Sequence, residues 1–221
     1  MTTTKQLSAT QQAIAPITAA AAVGDLPRLN AALVQGLDAG LTVAETKEIL
    51  VQLYAYAGFP RSLNALGEFM KVLDARRERG VQDAPGREPA APIPTGNELL
   101  ALGTANQTKL AGAPVKGPLF EFAPAIDAYL KTHLFGDIFA RDNLDWPSRE
   151  LATLGVLAAL PGVESQLRSH MRISLNVGLG ADQLRQLADV LDARGWPDAA
   201  RRAREALART LADDARPRTR P

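Results

Sequence analysis

Twice in this chain an apolar helical pattern stops at a glycine, restarts on a capped helix, and turns again at a Gly-aromatic-Pro corner. The first copy runs from Gly40-Leu41-Thr42 through a helix to Gly58-Phe59-Pro60. The second runs from Gly178-Leu179-Gly180 through a helix to Gly195-Trp196-Pro197, and the intervals agree to within one residue. Glycine supplies a left-handed stop, and proline cannot continue a helix but can start one. Each corner therefore folds two helices back on each other, with the aromatic expected to anchor the corner in the core. A unit of this kind leaves one apolar face uncovered, and a second copy packed against it would bury both. The expected fold is all-α, built from two tandem helical repeats.

The chain between the corners supports helix throughout. Leu26, Leu29, Leu33 and Leu37 recur three or four residues apart. Thr42 and Glu45 form a capping box ahead of Ile49, Leu50 and Leu53. A helix after Pro60 carries Leu63, Leu66, Met70 and Leu73. From Leu151 to Leu160 nearly every residue is apolar or glycine, as in a helix enclosed on all sides. Glu164–Val177 carries Leu167, Met171 and Leu175 as its inner stripe. Residues 81–97 hold four prolines and two glycines and read as an extended connector. A helix is expected from Glu98 to Leu110 and another from Ala123 to Phe135. The organisation expected is a first repeat at 8–80, a Pro/Gly-rich connector with one helix at 81–125, a second repeat at 126–212, and a disordered tail at 213–221.

Composition narrows the function classes. A net charge of +1 over 221 residues gives no field to draw in nucleic acid or an anionic membrane. There are no cysteines, so disulfides, thiolate metal sites and Cys nucleophiles are excluded. No run reaches the roughly 18 apolar residues that cross a bilayer. The alanine-rich start reads as an amphipathic helix ended by Gly24-Asp25 rather than as a signal peptide, and a cytoplasmic location is expected. No His/Asp/Glu spacing suggests a metal, and no Gly-rich loop follows a strand to hold phosphate. The arginine-rich end of the chain is diluted by Asp213 and Asp214, which favours a surface helix over a docking site for an acidic partner.

Three segments carry a resemblance: EILVQLYAYAGFPRSLNAL (48–66), FGDIFARDNLDWPSRELATLGVLAAL (135–160) and LRSHMRISLNVGL (167–179). Their Arg-Glu-Leu helix start, His ahead of Ser-Leu-Asn-x-Gly, and Tyr-Ala-Gly-aromatic-Pro resemble the carboxymuconolactone decarboxylase family, whose superfamily includes the AhpD-type alkylhydroperoxidases. The resemblance implies an AhpD-like helical fold and assembly into homotrimers or homohexamers. It also marks a departure. The redox branch carries Cys-x-x-Cys-x-x-x-His, and counting back from His170 those places hold Val163 and Gln166. Thiol-based peroxide reduction is therefore excluded. In the first repeat the histidine place falls on Ala32.

What remains is proton-transfer chemistry. Glu150 opens the enclosed helix, and its counterpart in the redox branch belongs to the catalytic relay. With His170 it would form a general acid/base pair, the carboxylate orienting the ring. His133 is a further catalytic candidate. Arg149 and Arg168 are candidates for seating a substrate carboxylate. The resemblance implies cofactor-free loss of carbon dioxide from a carboxylated lactone, the substrate serving as its own electron sink. The other reading is a non-catalytic or ligand-binding oligomer in which Tyr54, Tyr56, Phe59 and Trp196 are packing residues or pocket walls. Glu150 in a first turn also suits the helix dipole, and a single His beside an apolar stripe is often a packing residue.

Overall fold

The computed structural model describes residues 6–215, and among them every regular element is helical. The first half comprises α1 (Ala9–Val23), α2 (Leu26–Asp38), α3 (Val43–Gln52), the single turn α4 (Tyr54–Ala57) and α5 (Phe59–Glu78). The second half comprises α9 (Trp146–Ala159), α10 (Glu164–Asn176), α11 (Ala181–Ala193) and α12 (Pro197–Ala215). Between them lie α6 (Gly96–Ala111), the short α7 (Pro118–Phe122) and α8 (Pro124–Tyr129), and a π-helix at Leu130–Ile138. The part of the expected tail from 216 onward lies outside the described residues.

The glycine stops at Gly40 and Gly178 are alike in detail. Gly40 and Gly178 both sit at φ 100°, where a Cβ is strained. In each case the next leucine donates back into the helix, Leu41 N–H to the Gly36 carbonyl at 2.9 Å and Leu179 N–H to the Ser174 carbonyl at 3.0 Å. Gly58 and Gly195 share the same sign, at φ 81° and 79°. Thr42 caps α3 with the box expected from sequence, Glu45 returning to the Thr42 N–H at 2.9 Å.

The centre of the molecule is the crossing of α1 and α9. Residues Ile14–Ala22 of α1 are buried without a break, as are Ser148–Ala159 of α9. The first helix, expected as amphipathic, is therefore a core element along most of its length. Alanine is what makes this possible, because small side chains let the backbones approach. Gly155 sits at the crossing, where an added Cβ would lie 2.6 Å from the Ala15 carbonyl oxygen. Leu29 and Leu33 of α2, and Leu167 and Met171 of α10, are buried in the same core.

The middle segment is more than a connector. At its start, Val43 and Ala44 N–H donate to the Ala84 and Pro85 carbonyls at 2.9 Å each, pinning the proline-rich strand to α3. Further on, α6 lies against the π-helix, with Gly103 directly on the backbone of Lys131 and Gly136. Together they bury Leu110, Leu134, Phe135, Ile138 and Phe139 against Ile173 of α10, with Tyr54 and Tyr56 at the edge. The helix expected over 123–135 is broken into α8 and the π-helix, and starts one residue late because Pro124 takes its first position.

The aromatics at the two corners differ: Trp196 packs against the core as expected, and Phe59 does not. Phe59 is 63% exposed, lying flat on Tyr54 with centroids 4.4 Å apart, and does not enter the core. Trp196 is half-buried, with the Arg28 guanidinium 4.6 Å above its ring.

Candidate active site

The first turn of α9 places Arg149 and Glu150 in the interior. Asp145 caps the helix by accepting from the Ser148 N–H at 2.7 Å, and Pro147 occupies the tolerated first turn. Both side chains that follow are fully buried. From α10, His170 reaches Glu150, with Nδ1 and Oε2 2.8 Å apart. A carboxylate accepts from Nδ1–H, so the tautomer is set and Nε2 is the nitrogen left for a reacting group. His170 is itself 9% exposed, and Ser174 Oγ donates to its carbonyl at 2.7 Å. The other Glu150 oxygen, Oε1, is buried with no protein partner.

The first half of the chain closes this pair in. The Tyr56 ring meets His170 edge-on, centroids 5.8 Å apart at 81°. Its hydroxyl is 3.1 Å from Thr153 Oγ1. Thr153 also receives Gln52 Nε2–H at 2.9 Å and bonds the Arg149 carbonyl at 3.0 Å. The one Thr153 proton is thus shared between two acceptors, the Tyr56 hydroxyl oxygen and the Arg149 carbonyl. Burial pushes the Tyr56 phenol well above its usual range, and the Glu150 charge adds to this. Tyr56 is therefore a neutral phenol at physiological pH.

Beside the pair lies a buried ionic network. Arg149 donates from Nη2 to Glu48 Oε1 and to the Arg141 carbonyl, both at 2.9 Å, and from Nη1 to Gln52 Oε1 at 3.2 Å. Gln52 returns a bond to the Arg149 carbonyl at 2.9 Å. Arg141 Nε donates to Glu48 Oε1 at 2.7 Å, and Asn143 Nδ2 donates to Glu48 Oε2 at 3.2 Å. Burial acts to raise the Glu48 carboxyl, but hydrogen bonds and charge from Arg141 and Arg149 outweigh it and hold it below its ordinary value. Burial lowers the Arg149 guanidinium, with Glu48 opposing.

The structure thus brings Glu150 and His170 into contact and sets Arg149 next to them, facing Glu48 and Gln52. It does not bring in the other two candidates. His133 projects from the π-helix, half-exposed, with Nδ1 2.7 Å from Asp137 and its ring beside Tyr54. Arg168 points into a groove between α10 and α12 and lies 3.9 Å from Asp213. Sequence reasoning missed Glu48, Gln52 and Thr153 as parts of the site, and named Tyr56 only as a packing residue or pocket wall. The available signal was the pair Glu48 and Gln52, one turn apart on the inner face of α3, where polar residues need a buried partner. Among the described residues no three His, Asp or Glu side chains are grouped as a metal site needs, and no helix is long and apolar enough to cross a membrane.

Residues 124–209, which contain both members of the buried pair, match the model of the Carboxymuconolactone decarboxylase family. Over those residues the chain is similar to that family. A curated protein of Acinetobacter baylyi named 4-carboxymuconolactone decarboxylase is 33% identical over 69 residues, which is 31% of this chain and 51% of the relative. The chain thus spans about half the length of the curated relative it matches. Glu48, Gln52 and Tyr56 lie outside the family match, so the matched segment has its histidine ring met by Tyr56, and Arg149 and Thr153 bonded by Glu48 and Gln52, from elsewhere in the chain.

Proposed function

We propose that this protein is a cytoplasmic, cofactor-independent lyase in which Glu150 and His170 form an acid/base pair acting on a small carboxylated lactone or carbonyl acid. The observation that carries this reading is the 2.8 Å contact between His170 Nδ1 and a fully buried Glu150. The name of the Acinetobacter baylyi relative supports the substrate class. The absence of cysteine removes the thiol chemistry of the wider superfamily.

In the proposed reaction the bond from the ring carbon to the carboxylate breaks. Carbon dioxide leaves, and the electron pair moves through the double bond into the lactone carbonyl. The resulting dienolate takes a proton at carbon from His170 Nε2–H, and solvent restores that proton. Glu150 holds the ring and offsets the imidazolium charge. Arg149 is proposed to fix the first turn of α9 through Glu48 and Gln52 rather than to touch substrate. Two tandem repeats, 8–80 and 126–212, are inferred from the matched corners. Self-association as a homotrimer or homohexamer fits the apolar side chains left outside on α7 and α8, where Phe122 is 88% exposed and Leu119 65%.

The test is turnover of 4-carboxymuconolactone, followed by loss of the conjugated lactone, for wild type beside His170→Ala. General acid catalysis of this kind contributes about 10²–10⁴-fold, so a loss of that size is expected. Unchanged turnover in the variant would remove the assignment.

A further inference from the structure

The first half of the molecule has a place that corresponds to the Glu150–His170 pair. Ala32 stands eight residues before Gly40, as His170 stands eight before Gly178. Gln12 stands twelve residues before Gly24, as Glu150 stands twelve before Gly162. Arg194 follows the last residue of α11 beside Gly195, much as Tyr56 lies near Gly58. These three residues, distant in sequence, line one cavity of about 380 Å³ between α1, α2 and α11. In the second half the corresponding space holds an imidazole and is roofed by α6 and the π-helix. In the first half the imidazole is replaced by a methyl group, and the middle segment packs elsewhere. A cavity remains where its counterpart is filled.

The lining decides what fits. Pro16, Ala32 and Val190 supply an apolar wall. Gln12 and Gln35 supply amides, and Arg194 is the one charged side chain among the lining residues. Gln12 Nε2 is spent on the Leu7 carbonyl at 2.9 Å, and Arg194 donates to the Gln35 side-chain oxygen. The guanidinium is thus held at the rim by a neutral partner, with its charge uncompensated by a carboxylate there. A guanidinium facing an apolar pocket of this size suits one carboxylate on a small apolar body. A dianion would leave a charge unpaired.

We propose that this cavity is a second, non-catalytic binding site for small monocarboxylates with an apolar body, opened by Ala32 and anchored by Arg194. It has no acid or base to turn a ligand over. The proposal does not depend on the Glu150–His170 pair being catalytic.

The probe is hexanoate, titrated calorimetrically into the full chain, with hexanamide as the uncharged comparison. Saturable binding of hexanoate is expected, with hexanamide weaker by about tenfold or more, the size expected for losing a charged hydrogen bond. Arg194→Gln, at an exposed position, should weaken hexanoate by a similar factor. Ala32→Leu, which fills the space, should do the same, while His170→Ala leaves the titration unchanged. No saturation at roughly millimolar hexanoate would overturn the proposal. So would binding lost in His170→Ala and kept in Ala32→Leu, because the ligand would then sit at the other site. Self-association lost in Ala32→Leu would also overturn it, because a second copy would then be the occupant.

Discussion

Replacing Glu48 by glutamine tests whether the buried network holds the first turn of α9. Glu48 is 2% exposed and accepts from Arg149, Arg141 and Asn143. Arg149 is not exposed at all, so its charge cannot turn to water when the carboxylate is removed. Breaking a buried pair by deleting one partner costs about 3–5 kcal/mol. The amide keeps the shape and one acceptor oxygen, which places Glu48→Gln near the lower end, about 3 kcal/mol. For a chain of this length that lowers the melting temperature by about 6–12 °C. Urea unfolding followed by far-UV circular dichroism, at one fixed protein concentration, measures it.

The pH dependence carries a sign. The native Glu48 carboxyl lies below its ordinary value of 4.5, so its contribution is complete above that pH. It is lost as pH falls through the depressed native value. The gap between wild type and Glu48→Gln should therefore be constant near neutrality and narrow below about pH 4.5. Combining Glu48→Gln with Arg149→Met should cost less than the sum of the single losses, by about 1–3 kcal/mol, because the orphaned charge has gone. A loss under about 1 kcal/mol, or a gap unchanged in acid, would show that the network is not the support described.

Gly155→Ala should destabilise by about 1–3 kcal/mol through overpacking against α1, and an unchanged melt would rule out so close a crossing. Thr153→Val and Tyr56→Phe remove the same hydrogen bond from opposite ends, so their effects on the His170 ring signals in NMR should not add; additive shifts would separate the two residues. His133→Ala should leave turnover within about threefold of wild type, since its partner is the exposed Asp137; a hundredfold loss would return it to the site. On the proposed self-association through α7, Phe122→Ser with Leu119→Ser should leave the melt unchanged and shift sedimentation toward smaller species; unchanged sedimentation would refute that role for α7.

What could be read from the chain was local. The Thr42–Glu45 cap, the glycine corners and the enclosed helix from Leu151 are all decided within a few residues, where steric and hydrogen-bond rules act directly. The π-helix was not legible, because nothing in its residues distinguishes it from an α-helix until α6 presses Gly103 onto it. The Phe59 position failed for a related reason: an aromatic at a corner has two sides to choose from, and Tyr54 offered the outer one. Arg149 was read as a possible substrate ligand because its partner Glu48 lies 101 residues away. Glu150 and His170 could be paired beforehand only through the family resemblance, since neither the first turn of one helix nor the inner stripe of another announces the other.

The α1–α9 crossing also determines how the chain opens. Neither half can shed its partner without baring a helix that has no polar face, so partial opening at the centre exposes apolar surface on both sides at once. Amide protons of α9 should then exchange with solvent only at the rate of whole-molecule unfolding, and those of α1 together with them. A fragment restricted to the family-matched residues 124–209 would lack the helix that covers α9, and would be expected to bind the missing half in trans rather than fold alone.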